Sequence, residues 1–309
     1  MDVENQNEGL VPRRDTRPGM SRGAGSDEEI INLWLRGKSK NTAEAYRRDV
    51  MQFTRFFGGG LHYVRLEDLW DWHDEIRDEG NSLATISRKI ASLKSLFSFG
   101  HRIGVLPVNV GAAFSLPKIP SHLSERILTE DETRQLLNDE GSRRNTVLLQ
   151  LFYASGARVS ELAGLCWTSV RGRKTPEGLA TGQISLLGKG LKTRSVLLSA
   201  NTWSQLSALK ELEVASGHGQ AGDPVFRSAK GGSLSRQQMW RVVRSAARRA
   251  GLPQKVSPHW LRHAHASHAL DRGAPVHLVK ETLGHESLAT TSKYAHARPD
   301  DSSSKYLDI

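Results

Sequence analysis

The sequence predicts a mainly helical protein of two domains, with one small β-hairpin or sheet in the second. Three observations carry this. Apolar residues recur at helical spacing over most of the chain, one stretch alternates around a Gly-Lys-Gly tripeptide, and an aperiodic segment with two prolines interrupts the pattern near residue 120. At 309 residues the chain is long enough for two cores of ordinary size.

Residues 1–25, rich in Gly, Asn, Pro and Arg and poor in apolar side chains, read as a disordered tail. Four helical patterns follow within 26–114: "SDEEIINLWLRG", "NTAEAYRRDVMQFTRFF", "LEDLWDWHDEIRDEG" and "SLATISRKIASLKSLFSFGHRIG". Ser26, Asn41 and Ser82 are placed to cap their starts, and Gly37, Gly58 and Gly80 to stop them. "SLPKIPSHLSERI", residues 115–127, reads as a linker. The second domain, 128–298, opens with Thr129 three residues before Glu132, the spacing of a capping box, and continues as helix around a break at Gly156. "GQISLLGKGLKTRSVLLS" alternates as a hairpin with Lys189 at its tip, preceded by the loop "RGRKTPEGLATG". Helical patterns resume near Thr202, and 299–309 form a tail set off by Pro299 and a serine run.

Charge narrows the partner. The 43 Lys and Arg against 33 Asp and Glu leave a formal +10, which suits nucleic acid or an anionic surface. No apolar run is long enough for a bilayer span, and the lone Cys166 has no intrachain disulfide partner, so the expected compartment is the cytoplasm. Between Asp223 and Asp271 there is no acidic residue at all. Within that interval "LSRQQMWRVVRSAARRAG" is an amphipathic helix: Met239, Val242, Val243, Ala246, Ala247 and Ala250 make an apolar stripe, and Arg236, Trp240, Arg244 and Arg248 recur at fourfold spacing elsewhere on its surface. Without acidic partners these arginines, with Arg241, repel one another unless phosphates neutralise them, so the helix is expected on DNA.

"SPHWLRHAHASHAL", residues 257–270, holds four histidines and an arginine on one helical pattern. Two chemistries compete for it. His259 and His263, with His285, could ligate zinc in a hydrolase, but the metalloprotease pattern needs a glutamate after the first histidine and Trp260 stands there. Alternatively, His259 and Arg262 could grip a phosphate.

The second reading gains from order along the chain: Arg158 in "SGARVSEL", Lys189 in "GKGLKTR", "HWLRH" at 259–263, and "LGHESLATTSKYAHA" with His285 and Tyr294. This set resembles the tyrosine recombinases of the phage-integrase and Xer type, and the resemblance spans the ordered chain. It implies a C-shaped clamp of a helical core-binding domain and a catalytic domain, acting without metal or ATP. It further implies double-stranded DNA with paired sites, a tetramer of like protomers or one including a second recombinase, a covalent 3′-phosphotyrosyl link and a Holliday junction.

The chemistry is self-consistent. Tyr294 would attack phosphorus, although a phenol with an ordinary pKa of about 10 needs help to ionise. Arg158 and Arg262 would hold the non-bridging oxygens with permanently charged forks. Lys189 can give up a proton and suits the general acid to the 5′-oxygen, with Lys192 the alternative, and His259 and His285 would hydrogen-bond the phosphate. His259 is also the expected acceptor of the tyrosine proton. Lys192 and Arg194 are expected on DNA, and no role is expected for His263, His265, His268, His277 or His296 beyond packing, helix ends or the DNA backbone. Two features depart from the family pattern: His265 takes a position usually apolar, and the "RGRKTPEGLATG" loop is longer than usual. A DNA-binding architectural protein without catalysis is the other reading.

Overall fold

A computed structural model describes residues 26–115, 123–138, 141–188, 190 and 192–295. The expectations for residues 1–25, most of the linker, Lys189, His296 and the 299–309 tail lie outside these. The chain divides into two compact units between Pro120 and Ser121.

The first unit is helical. Its elements are α1 (Asp27–Leu35), α2 (Lys40–Phe57), α3 (Leu66–Asp78), α4 (Leu83–Arg102) and α5 (Val110–Ala113). Ser26 caps α1, accepting from Glu29 N while Glu29 returns a bond to Ser26 N, so two orphan amides are satisfied. Ser39 rather than Asn41 caps α2: its Oγ accepts from Thr42 N, which puts Asn41 inside the first turn. Ser82 caps α4 as expected. Trp34, Phe53, Trp72, Ile90, Leu93, Phe97 and Phe114 fill the core, with Phe53 and Trp72 edge to face at 5.2 Å.

The second unit contains α6 (Glu130–Leu137), α7 (Arg143–Ser155), α8 (Val159–Ala163), β1 (Val170–Lys174), β2 (Ala180–Leu187), β3 (Thr193–Leu198), α9 (Ala200–Ala215), α10 (Arg236–Arg249), α11 (Pro258–Asp271), α12 (Val276–Leu283) and α13 (Leu288–Ala295). The Thr129–Glu132 capping box is present at the start of α6. The sheet is antiparallel in the order β1-β2-β3, with Ile184 opposite Val196. It has one strand more than the sequence pattern suggested. β1 comes from the stretch read as a loop, because an edge strand of sequence "VRGRK" leaves four of its five residues exposed and has no apolar alternation to betray it. Trp203 of α9 lies across the register pair Gly172 and Gly182, and a Cβ on Gly182 would fall 1.9 Å from its ring. Sheet and helix therefore meet where two residues lack side chains.

Two apolar clusters occupy this unit. The larger joins α7, α9, α10, α11 and the sheet through Phe152, Leu162, Leu186, Leu206, Val243 and Leu261. The smaller contains Ala266, Leu270, Val279, Leu283 and Tyr294, with Leu123 and Ile127 packed against it. Residues near the end of the expected linker thus pack against the cluster that contains Tyr294. His265 and His268 serve the core: the Nδ1 of His265 donates to Tyr153 O at 2.7 Å, and His268 bridges the Tyr153 hydroxyl (3.1 Å) and Leu128 O (2.9 Å).

Candidate active site

Three chain reversals bring the expected residues together. At the first, α7 ends at Gly156 in the left-handed region (φ +55°), and the chain turns directly into α8 with Arg158 as its N-cap. Glu161, three residues on, accepts from the Arg158 backbone N at 2.7 Å and from its Nη1 at 3.0 Å. Arg158 Nη2 donates to Gly284 O at 3.3 Å, and the side chain stays about one-third exposed. Pairing with Glu161 and exposure to a substrate are therefore compatible.

The second reversal starts α11, with Ser257 ahead of it and Pro258 in its first turn. Its 3.6-residue period sets His259, Arg262 and His263 on neighbouring positions of one side. Arg262 is buried, 5 % exposed, and is held by two main-chain carbonyls: Nη1 donates to Gly156 O and Nη2 to Leu283 O at 2.8 Å. Burial, then Arg158 and Arg194, push its pKa down to about 10, so it remains a cation at neutral pH. Burial followed by the charges of Arg262 and Arg158 lowers His259, which favours a neutral ring beside the two arginines.

The third reversal, Gly284, joins α12 to His285 and α13. His285 shares a 2.9 Å bond from Nδ1 to Thr291 Oγ1, and its ring lies parallel to Tyr294 at 6.4 Å between centroids. Tyr294 is 4 % exposed, and its hydroxyl sits 2.7 Å from Nδ1 of His263. Burial raises the phenol pKa, with Arg262 working against it. Burial, His259, Arg262 and Arg126 bring His263 to about 4, and burial with the three arginines Arg262, Arg158 and Arg194 brings His285 to about 4. At pH 7 the phenol and both imidazoles are neutral, and the tyrosine proton stays on oxygen.

Next to these residues a cleft of about 760 Å³ is lined by Arg158, Lys192, Arg194, Lys280, His285 and Ser287, among others. Four cations border it and the site is suited to a phosphate. Among the described residues no three His, Cys, Asp or Glu side chains converge as a metal site, so the zinc reading of His259, His263 and His285 finds no ligand set there.

Residues 126–300 match the phage integrase family, and residues 30–104 match the N-terminal SAM-like domain of phage integrases. This chain belongs to the phage integrase family. The tyrosine recombinase XerD of Halalkalibacterium halodurans is 31% identical over 276 residues, 84% of this chain and 88% of that protein. The tyrosine recombinase XerC of Brucella suis is 32% identical over 280 residues, 84% and 85% of the two chains. Among solved structures, a lambda integrase dimer bound to a COC′ core site superposes with a TM-score of 0.69 at 19% identity, over 89% of this chain and 95% of the other. XerH recombinase bound to difH substrate gives 0.66 at 22% identity, over 87% and 80%. These structural likenesses speak to the fold.

As a phage integrase family member the chain places its expected residues unevenly. Arg158, His259, Arg262, His285 and Tyr294 come from five points of the sequence into one neighbourhood, as the bonds and pKa perturbations above link them. Lys189 lies outside the described residues; Gly188 N donates to Lys192 O at 2.8 Å, closing the hairpin below it. Lys192 is exposed at the cleft. Arg194 turns away from solvent, with its guanidinium on Glu161 and on Thr282 O. Arg236, Trp240, Arg241, Arg244 and Arg248 are all exposed along α10, and the Arg244 guanidinium stacks over Trp240 at 4.7 Å. All but Arg236 line a second cleft on that helix, with Gln237, Ser245 and Gln254.

Sequence reasoning passed over two participants. His263, read as packing, touches the tyrosine hydroxyl, where His259 had been expected. Its position four residues after His259 is the signal in the sequence, and that spacing serves a metal as readily as a hydroxyl. Thr291, three residues before Tyr294, anchors His285; Glu161, whose i, i+3 spacing to Arg158 makes the pair legible in the sequence, also binds Arg194.

Proposed function

We propose that this integrase-family chain is a site-specific DNA recombinase that cuts and rejoins strands with Tyr294 as its nucleophile. The observation that carries the reading is the placement of Tyr294, nine residues after His285, against His263 and His285 in a neighbourhood that holds Arg262 and Arg158. The phenol oxygen forms a bond to phosphorus as its proton passes to the neutral imidazole of His263, 2.7 Å away, while the bond from phosphorus to the 5′-oxygen breaks, giving a 3′-phosphotyrosyl link. Lys189 supplies the proton to the departing oxygen. The new ester conserves bond energy, so the reverse attack by a 5′-hydroxyl restores a strand without ATP. Arg158 and Arg262 neutralise the non-bridging oxygens in the transition state. Arg262 is preorganised for this by its two carbonyl partners. Because Tyr294 is buried, it has to be uncovered before it reaches phosphorus.

The same proposal includes double-stranded DNA as the substrate, with α10 and Lys192 on its backbone. It includes four protomers on two paired sites, as in the solved lambda integrase tetramer bound to a Holliday junction, with room for a second recombinase as partner. The tail at 299–309, ending in Tyr306, Leu307 and Ile309, would join neighbouring protomers. The expected place of action is the nucleoid.

The test is Tyr294→Phe on a nicked suicide duplex carrying the cognate site. The variant is expected to bind DNA like the parent and to form no covalent adduct on a denaturing gel. A persistent adduct in Tyr294→Phe would overturn the assignment.

A further inference from the structure

We propose that Arg194 is a positioning residue that keeps Arg158 free for phosphate by neutralising Glu161, and is not itself a DNA contact; this deepens the recombinase reading and rests on it. The Arg194 side chain is only 12 % exposed, and each of its guanidinium nitrogens has an acceptor. Nη1 donates to Glu161 Oε1 at 2.6 Å, Nη2 to Glu161 Oε2 at 2.8 Å, and Nε to Thr282 O at 2.7 Å. Its fork is bidentate on a carboxylate, which neutralises its charge, whereas the carbonyls that hold Arg262 leave that cation uncompensated for a phosphate.

The carboxylate explains why the cation is there. Glu161 is 1 % exposed at its side chain, and it also takes the Arg158 backbone N and Nη1. Burial opposes its ionisation, but the bonds from Arg194 and Arg158 more than offset this, and its pKa lies below the ordinary glutamate value. Glu161 is thus an anion between two arginines, and the three charges sum to +1. With Arg194 removed, one buried carboxylate and one arginine remain, and their sum is zero. Arg158 would then be drawn onto Glu161 as its only strong partner, and the charge offered to phosphate would fall.

Arg194 also sets spacing. It rises from β3, the strand leaving the hairpin that carries Lys192 and Lys189, and it reaches both α8 through Glu161 and the end of α12 through Thr282. Gly284 lies directly against its side chain, where an added Cβ would come 3.3 Å from Arg194 Cδ, and His285 follows. One guanidinium therefore fixes the base of the hairpin, Arg158 and the His285 turn relative to one another. A lysine has a point charge and no fork, so it would restore the neutralisation and not the three-way tie.

The experiment uses the full chain on the nicked suicide duplex, with adduct formation measured at saturating DNA and binding measured against salt. Arg194→Ala is expected to slow adduct formation by about 100-fold or more and to leave the slope of log affinity against log salt unchanged. A DNA-backbone arginine such as Arg241, changed to Ala, is expected to reduce that slope by about one. The decisive arm is Glu161→Gln combined with Arg194→Ala, expected to recover at least about tenfold over Arg194→Ala, because the anion that captures Arg158 is gone. A role confined to holding the fold together would not give that rescue. Should Arg194→Ala fail to fold, Arg194→Gln, which removes the charge and keeps most of the side chain, is measured with and without Glu161→Gln, and the same rescue is expected. A slope reduced by about one with an unchanged rate at saturation, or no recovery in the double variant, overturns the proposal. No adduct from the parent chain would fall instead on the recombinase reading itself.

Discussion

Gly156→Ala tests whether the first chain reversal supports the chemistry. Gly156 holds φ +55°, a region that costs an L-residue about 1 kcal/mol or somewhat more. Space is the larger obstacle. An added Cβ would stand 2.4 Å from Leu283 Cδ2 and 3.1 Å from the His265 ring, and Leu283 is fully buried. Overpacking of this kind costs about 1–3 kcal/mol, so the total is about 2–4 kcal/mol. The strain falls on two anchors of Arg262, because Gly156 and Leu283 supply the carbonyls that hold its guanidinium. Gly178→Ala is the control: Gly178 has φ +83° and nothing within 4 Å of an added Cβ, so it isolates the backbone cost of about 1 kcal/mol. Urea unfolding followed by tryptophan fluorescence gives the stabilities, and suicide-substrate cleavage gives the rate. Gly156→Ala is expected to lose stability beyond the control and to cleave at least about tenfold more slowly. Equal stability in the two variants with full cleavage in Gly156→Ala would refute the reasoning.

His263, His265 and His285 lie near pKa 4 in the folded chain, each chiefly through burial, against an ordinary value of about 6.5. The unfolded chain therefore binds more protons between those values, so stability is expected to fall as pH drops from 7 to 5; urea midpoints that stay flat across that range would contradict it. For Lys189, an alkoxide leaving group needs a proton and a thiolate does not, so a bridging 5′-sulfur is expected to restore cleavage by Lys189→Ala after an oxygen-substrate loss of about 10²- to 10⁴-fold. Rescue of Lys192→Ala instead would move the general acid to Lys192.

Much of this protein was legible in its sequence because the signals were local. Capping at Ser26, Ser82 and Thr129 follows from a side chain meeting an amide three residues away, and the α10 stripe follows from helical period; Met239, Val243, Ala246 and Ala247 are indeed buried. The helical class, the hairpin strands and the motif set from Arg158 to Tyr294 came from the same kind of reading. β1 escaped because an exposed edge strand of Arg, Gly and Lys has no apolar period, and Ser39 displaced Asn41 because two polar residues two apart offer nearly equal caps.

The composition of the site was therefore written in the chain, while the division of labour inside it was settled by packing. Nothing in the spacing of residues 161, 194 and 282 says that one arginine will span all three segments, because their contacts join residues 33 and 88 positions apart. Nor does the sequence choose between His259 and His263 for the tyrosine hydroxyl. Both lie on one side of α11, and the choice falls to His263 because α13 packs against that helix with Tyr294 in the cluster formed by Ala266, Leu270, Val279 and Leu283. A one-dimensional pattern specifies which side chains share a face. Which of them touches a partner brought from elsewhere depends on how the faces dock, and that is decided only when the core closes.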